Sequence, residues 1–252
     1  MIGATRGPFS GTRAWRVRRG SISRPGPYND PMAGCCSLHA RSTGRCFSRF
    51  ARRYRRRFER RGFETSQRQL VAGLEQAGLR GATLLEIGAG VGYLHQTLLE
   101  RGAGSAMGVD LAPEMIVQAE DRARARGLAV RTRYLCGDFL ELADAVPEAD
   151  VTILDKVICC YPDADGLVRA SLARTRRVYA LTYPRDRGFV RFAVAAASLA
   201  LRLVRSDFRF YVHDPARIEQ WITGAGFVKR YENRTPVWLT QVFERAIPAA
   251  AG

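Results

Sequence analysis

Between residues 83 and 183, short apolar runs alternate with longer stretches whose apolar residues recur at steps of three and four. The short runs read as buried strands and the longer stretches as amphipathic helices. This pattern predicts strands at 83–87, 106–110, 130–135, 149–155 and 177–183. The predicted helices fall at about 92–101, from Pro113 to a stop at Gly127, and at 163–174. Strict alternation implies a doubly wound, mostly parallel sheet that takes ligands at the carboxyl ends of its strands. Further on, a helix from Pro215 to Ala225 opens at Asp214 and stops at Gly226. Two strand-like runs follow, 227–234 and 237–245, separated only by Thr235-Pro236. That link is too short for a parallel crossover, so the last two strands form an antiparallel hairpin.

Two regions stand outside this alternation. Residues 46–61 read as a helix in which Phe47, Phe50, Tyr54 and Phe58 share one face and arginines fill most of the rest. A second helix opens with a capping box at Ser66 and Gln69, buries Leu70, Leu74 and Ala77, and closes at Gly78. An insertion at 184–213 holds an apolar helix at 189–204. Its Arg187, Arg191, Ser198, Arg202 and Arg205 fall on one narrow arc. Its longest charge-free run, 192–201, is too short to span a bilayer. Phe192, Leu199 and their neighbours then have three uses. They roof a substrate together with the aromatic stripe, lie in a membrane interface, or pack on their own domain.

Charge is divided unevenly along the 252 residues. Residues 1–62 hold 16 arginines against Asp30 and Glu59, whereas the remainder is nearly balanced. The basic character therefore belongs to an N-terminal arm, which either contacts nucleic acid or an anionic surface or stays in water. The divisions expected are a disordered arm (1–45), N-terminal helices (46–79), one domain with its insertion (80–245) and a tail (246–252). A natural start at Met32 is a further expectation. Six cysteines in a chain of this size read as reduced thiols of a cytoplasmic protein. Cys35, Cys36, His39 and Cys46 do not match a zinc spacing, and no metal is expected.

The densest chemistry lies at Leu84-Leu85-Glu86-Ile87-Gly88-Ala89-Gly90-Val91-Gly92-Tyr93, a strand, a glycine turn and the start of a helix. Glycines there allow a tight turn and a close approach to a ligand at a helix N-terminus. Asp110, at the end of the second strand, is placed to accept two ribose hydroxyls.

The run Glu86-x-Gly88-x-Gly90-x-Gly92 resembles motif I of the class I S-adenosylmethionine (SAM)-dependent methyltransferases, of the small-molecule type. The resemblance covers about residues 64–245. It implies a seven-stranded Rossmann-like sheet closed by the terminal hairpin, with SAM as cofactor. It places Glu86, Gly88, Gly90, Gly92, Tyr93, Asp110 and Leu111 around the cofactor. Asp138 would accept from the adenine amino group with Phe139 against the ring, and Asp155 and Lys156 would line the methionine end. It implies a small-molecule acceptor, and the apolar face of the insertion with the aromatic stripe makes an apolar or aromatic one the expectation. Where a base is needed, His213 and Tyr161 are the candidates, while His95 reads as positional and Cys159-Cys160 as packing. A chain begun near Glu64 is expected to fold and bind SAM. Two other readings remain at this point, an NAD-dependent oxidoreductase and a non-enzymatic nucleic-acid-binding protein.

Overall fold

The computed structural model describes residues 38–203 and 208–246. Residues 1–37, with Met32, Cys35 and Cys36, lie outside the described residues, as do the side chain of His39 and residue Arg205.

Seven strands form one sheet: β1 (Thr83–Ile87), β2 (Ser105–Asp110), β3 (Thr132–Cys136), β4 (Ala149–Asp155), β5 (Thr175–Pro184), β6 (Phe227–Arg234) and β7 (Trp238–Arg245). Their order is β3-β2-β1-β4-β5-β7-β6. The first five run parallel, and β7 inserts antiparallel between β5 and β6. The expected doubly wound sheet with a reversed terminal hairpin is the fold observed.

Helices cover both faces, as buried parallel strands require. One face carries α2 (Thr65–Gln76), α3 (Tyr93–Glu100) and α4 (Pro113–Ala125) over a core of Leu70, Leu74, Leu84, Leu98 and Val151. The other carries α5 (Phe139–Leu142), α6 (Ala164–Ala173) and α8 (Pro215–Gly224) over Leu154, Leu167, Tyr179, Ile218 and Phe243.

Three expectations are corrected. The N-terminal helix α1 spans Leu38–Arg61, so it reaches eight residues into the expected arm. Its inward face is Thr43, Phe47, Ala51 and Phe58, while Phe50 is exposed. The capping box sits two residues earlier than expected, on Glu64 and Gln67, and Gln69 instead bonds Asn233. The insertion helix α7 (Gly188–Leu203) anchors through Val190 and Leu201. Phe192 is 76% exposed and Leu199 58%, and neither lines the cavity described next, so α7 is not its roof.

Candidate active site

At the carboxyl edge of the sheet lies a cavity of about 450 Å³, within the usual size of small-molecule sites. Its floor is the glycine turn between β1 and α3. Gly88, Gly90 and Gly92 all adopt positive φ, at 70°, 53° and 79°, a region that side chains with a β-carbon enter at a cost. The three do different work. A β-carbon on Gly88 would strike Val157, and one on Gly92 would lie 2.5 Å from Nε2 of Gln96. One on Gly90 would meet nothing within 4 Å, so Gly90 opens onto the cavity.

Asp110 clamps this turn from the end of β2. Its Oδ2 accepts from the Gly90 N–H at 2.8 Å and its Oδ1 from the Ala112 N–H at 2.8 Å. Burial pushes its carboxyl up to about 6, against the pull of those two N–H groups. Leu111, beside it, also lines the cavity, and its backbone packs against Gly44 of α1.

Glu86 is buried under the turn. Its Oε2 meets Nδ1 of His95 at 2.5 Å, and Nε2 of His95 meets the Tyr134 hydroxyl at 2.8 Å. His95 is fully buried, so it holds the turn in place, as expected of a positional residue. Tyr93, where a dinucleotide fingerprint would have glycine, stacks on Phe58 with centroids 3.6 Å apart. That contact docks α1 over the site; such pairs are worth about 0.5–1.5 kcal/mol.

The third strand end differs from expectation. Asp138 is buried, caps α5 through Leu140 N–H, and accepts from the Tyr161 hydroxyl at 2.8 Å. Phe139 and Gly137 line the cavity, whereas Asp138 does not. The same contact removes Tyr161 as a base. Burial and the Asp138 carboxylate push its phenol far above the ordinary range, so it tethers α5 to the turn after β4. His213 is also corrected to a structural role. Its Nε2 donates to the carbonyls of Ile158 and Tyr161 at 3.1 and 3.0 Å, and burial lowers its pKa. It pins the segment before α8 and does not line the cavity.

Asp155 and Lys156, at the end of β4, form the opposite wall. Asp155 Oδ2 accepts from Gln67 Nε2 at 2.9 Å, while its buried Oδ1 has no hydrogen-bond partner among the described residues. Burial raises this carboxyl to about 7. Lys156 has φ 62° and is the one non-glycine at positive φ among the described residues. Its N–H donates to Thr182 O at 2.8 Å. Its ammonium contacts Glu64 and lies 5.0 Å from the Trp238 ring centroid. Glu64 also accepts from Arg57 at 2.9 Å.

Several of these wall residues were missed in the sequence: Arg57, Glu64, Gln67, Phe210 and Trp238. The spacing of Glu64 and Gln67 was the one signal available, since it is that of a capping box. Cys159 and Cys160 also line the wall, with their sulfurs 3.9 Å apart. Phe47, Tyr54, Arg57 and Phe58 of α1 also line the cavity, so the site draws on residues that precede the expected domain of 80–245. Among the described residues no group of side chains is arranged to hold a metal.

A family profile described as a methyltransferase domain matches residues 84–180. The ubiquinone biosynthesis O-methyltransferase of Pseudomonas paraeruginosa is 29% identical over 159 residues, 60% of this chain and 67% of that one. That of Methylococcus capsulatus is 28% identical over 155 residues, 59% of this chain and 64% of that one. Among solved structures, magnesium protoporphyrin IX methyltransferase from Synechocystis with bound SAM superposes with a TM-score of 0.61. It is 17% identical and covers 84% of this chain and 100% of that one. A likeness at that identity speaks of the fold. None of these similarities supports a dinucleotide-dependent oxidoreductase or a nucleic-acid-binding protein.

Proposed function

The chain belongs to the class I SAM-dependent methyltransferase superfamily, and on that premise we propose that it methylates a hydroxyl of a small aromatic acceptor bound beside Lys156. The observation that carries this reading is the division of the cavity. One end is a backbone cradle with a carboxylate, and the other is walled by Phe47, Tyr54, Phe58, Phe210 and Trp238. The O-methyltransferase names of the sequence relatives support oxygen as the receiving atom.

The residues fit the cofactor on three counts. A β-carbon on Gly90 would meet no atom of the described residues within 4 Å, which leaves that face free for a ligand. Asp110 keeps lone pairs beyond its two backbone bonds for ribose hydroxyls. Asp155 Oδ1 is a buried acceptor without a partner, and such a group costs about 1–3 kcal/mol until it finds one; an ammonium group suits it. Glu86, Gly88, Tyr93, Leu111 and Phe139, which line the same end of the cavity, would complete the surround, while Gly92 shapes the turn from behind. Bound SAM supplies an electrophilic methyl group on a sulfonium. The chain's own part is to exclude water, to orient the acceptor oxygen and to provide for its proton, and positioning of this kind supplies much of the acceleration. The test is mass spectrometry of full-length protein incubated with SAM and a panel of hydroxylated aromatics. A product heavier by one methylene supports the reading; modification of aliphatic amines alone would refute it.

A second surface supports peripheral membrane contact. The outward face of α7 exposes Phe189, Phe192, Leu199 and Leu203, with Arg187 and Arg202 beside it. Among the described residues no helix is long and apolar enough to cross a membrane, so contact would be interfacial. Flotation with anionic vesicles is the expected result, and recovery of all the protein in the lipid-free fraction would exclude it.

A further inference from the structure

Lys156 combines features that holding a cofactor does not require. Its backbone takes a left-handed conformation that is strained for a residue with a β-carbon, and the fold maintains it at the cavity wall. The kink follows Asp155 directly and leaves the side chain lining the cavity with its Nζ 5.0 Å from the Trp238 ring centroid. The charged groups around it are Glu64 at the start of α2, Arg57 on α1, Asp155 on its own strand and the Cys159 thiol on the following turn. Glu64 is shared between Lys156 and Arg57, so it keeps a cationic partner when the lysine is neutral.

On the methyltransferase reading above, we propose that Lys156 is the general base for the acceptor, with Glu64 and the Trp238 ring positioning its amine. The acceptor O–H bond breaks and its proton joins the lone pair of Nζ, giving an ammonium. The oxygen keeps that electron pair and would form the O–CH3 bond as the S–CH3 bond of SAM breaks, with the S–CH3 pair staying on sulfur, which leaves as the neutral thioether. The ammonium then returns the proton to solvent, one proton per methyl transferred. Burial and the Arg57 guanidinium lower the Lys156 pKa to about 7, near the optimum for a base at neutral pH. Glu64 pulls the other way by favouring the charged form, which makes it the handle for a test. Tyr161 and His213, engaged elsewhere, do not compete for the role.

The chain has two lysines, Lys156 and Lys229, so full-length protein carrying 13Cε-labelled lysine gives two side-chain signals, assigned with Lys229→Arg. Lys156 is expected to titrate near 7 and Lys229, held by Glu219 and Glu232, above its ordinary value. Glu64→Gln should move the Lys156 midpoint downward. With 3,4-dihydroxybenzoate as the probe acceptor, Lys156→Met should lower kcat at least 100-fold and abolish the acid limb of the pH profile. Lys156→Arg should not rescue it, and SAM affinity should stay within threefold in both. A Lys156 midpoint near 10, or an acid limb retained in Lys156→Met, overturns the base while leaving the methyltransferase reading intact. Equal losses of SAM affinity and turnover do the same. Absence of SAM binding by wild-type protein overturns both.

Discussion

The two ends of the cavity are made differently. At the glycine-turn end the floor is backbone, and the polar contacts that shape it join residues of one βα unit or of neighbouring strands: Gly90 to Asp110, Glu86 to His95. At the Lys156 end the walls are side chains drawn from α1, the start of α2, β4 and β7, up to 109 residues from Lys156 in the case of Phe47. A backbone cradle reads the same ligand whatever the neighbouring side chains are. A wall of side chains can change acceptor without disturbing the cradle, which is how one fold serves many chemistries. The two ends should therefore fail separately when altered.

Removing residues 1–63 is the harshest test of that separation. The sheet and its two cores should persist by circular dichroism, because the strands and α2 all lie downstream. Acceptor turnover should vanish, since the cavity loses Phe47, Tyr54, Arg57 and Phe58. SAM binding should weaken less, because the glycine turn loses its packing on α1 around Val91 and Tyr93 but keeps its Asp110 clamp. A truncated chain with full turnover would show that α1 is not a wall of the acceptor site.

Asp110→Ala addresses the cradle alone. It removes the clamp on Gly90 and the acceptor proposed for the ribose. Hydrogen bonds to a charged group are worth about 1.5–3 kcal/mol each, so SAM affinity should fall at least tenfold by calorimetry. Unchanged affinity in a folded variant would remove Asp110 from the cofactor site.

A smaller effect is expected from pH. Asp110 and Asp155 are held at about 6 and about 7 in the folded chain, above the unfolded carboxylate value. The folded state therefore binds more protons than the unfolded one, and the stability these groups contribute is lost as pH rises from about 4 through those values. A ligand ammonium favours the ionised Asp155. SAM affinity should rise between about pH 5.5 and 7.5 with proton release, measured as a dependence of binding heat on buffer ionisation enthalpy. Affinity that falls over this range would contradict the pairing.

The smallest effect should come from α7. Phe192→Ser with Leu199→Ser should leave both SAM affinity and turnover of a soluble acceptor within about twofold, because neither residue touches the cavity. A tenfold loss of turnover in the soluble assay would restore α7 as a roof.

The same division explains what was legible in the sequence. Periodicity, the alternation of elements and the glycine spacing are local signals, and they gave the strands to within two residues and the cradle residues by number. The carboxylate ends of β2 and β4 were readable because strand ends define a known edge. Tyr161 and His213 were misread because a hydroxyl or imidazole near that edge says nothing about its partner. Tyr161 turns to Asp138 and His213 to two carbonyls, and neither contact leaves a pattern in the chain. The left-handed kink at Lys156 was invisible, since lysine carries no preference for it. The apolar face of α7 was recognised as a face, but amphipathicity does not tell a buried partner from an absent one.

The central claim is that the glycine-turn end of the cavity holds SAM. Calorimetric titration of the full-length protein with SAM, beside NADH and beside a folded Gly90→Val variant, tests it most directly. One SAM site per chain in the wild type, no response to NADH, and loss of SAM binding in Gly90→Val are the predicted results. Binding of NADH in place of SAM, or SAM binding undiminished in Gly90→Val, would contradict it.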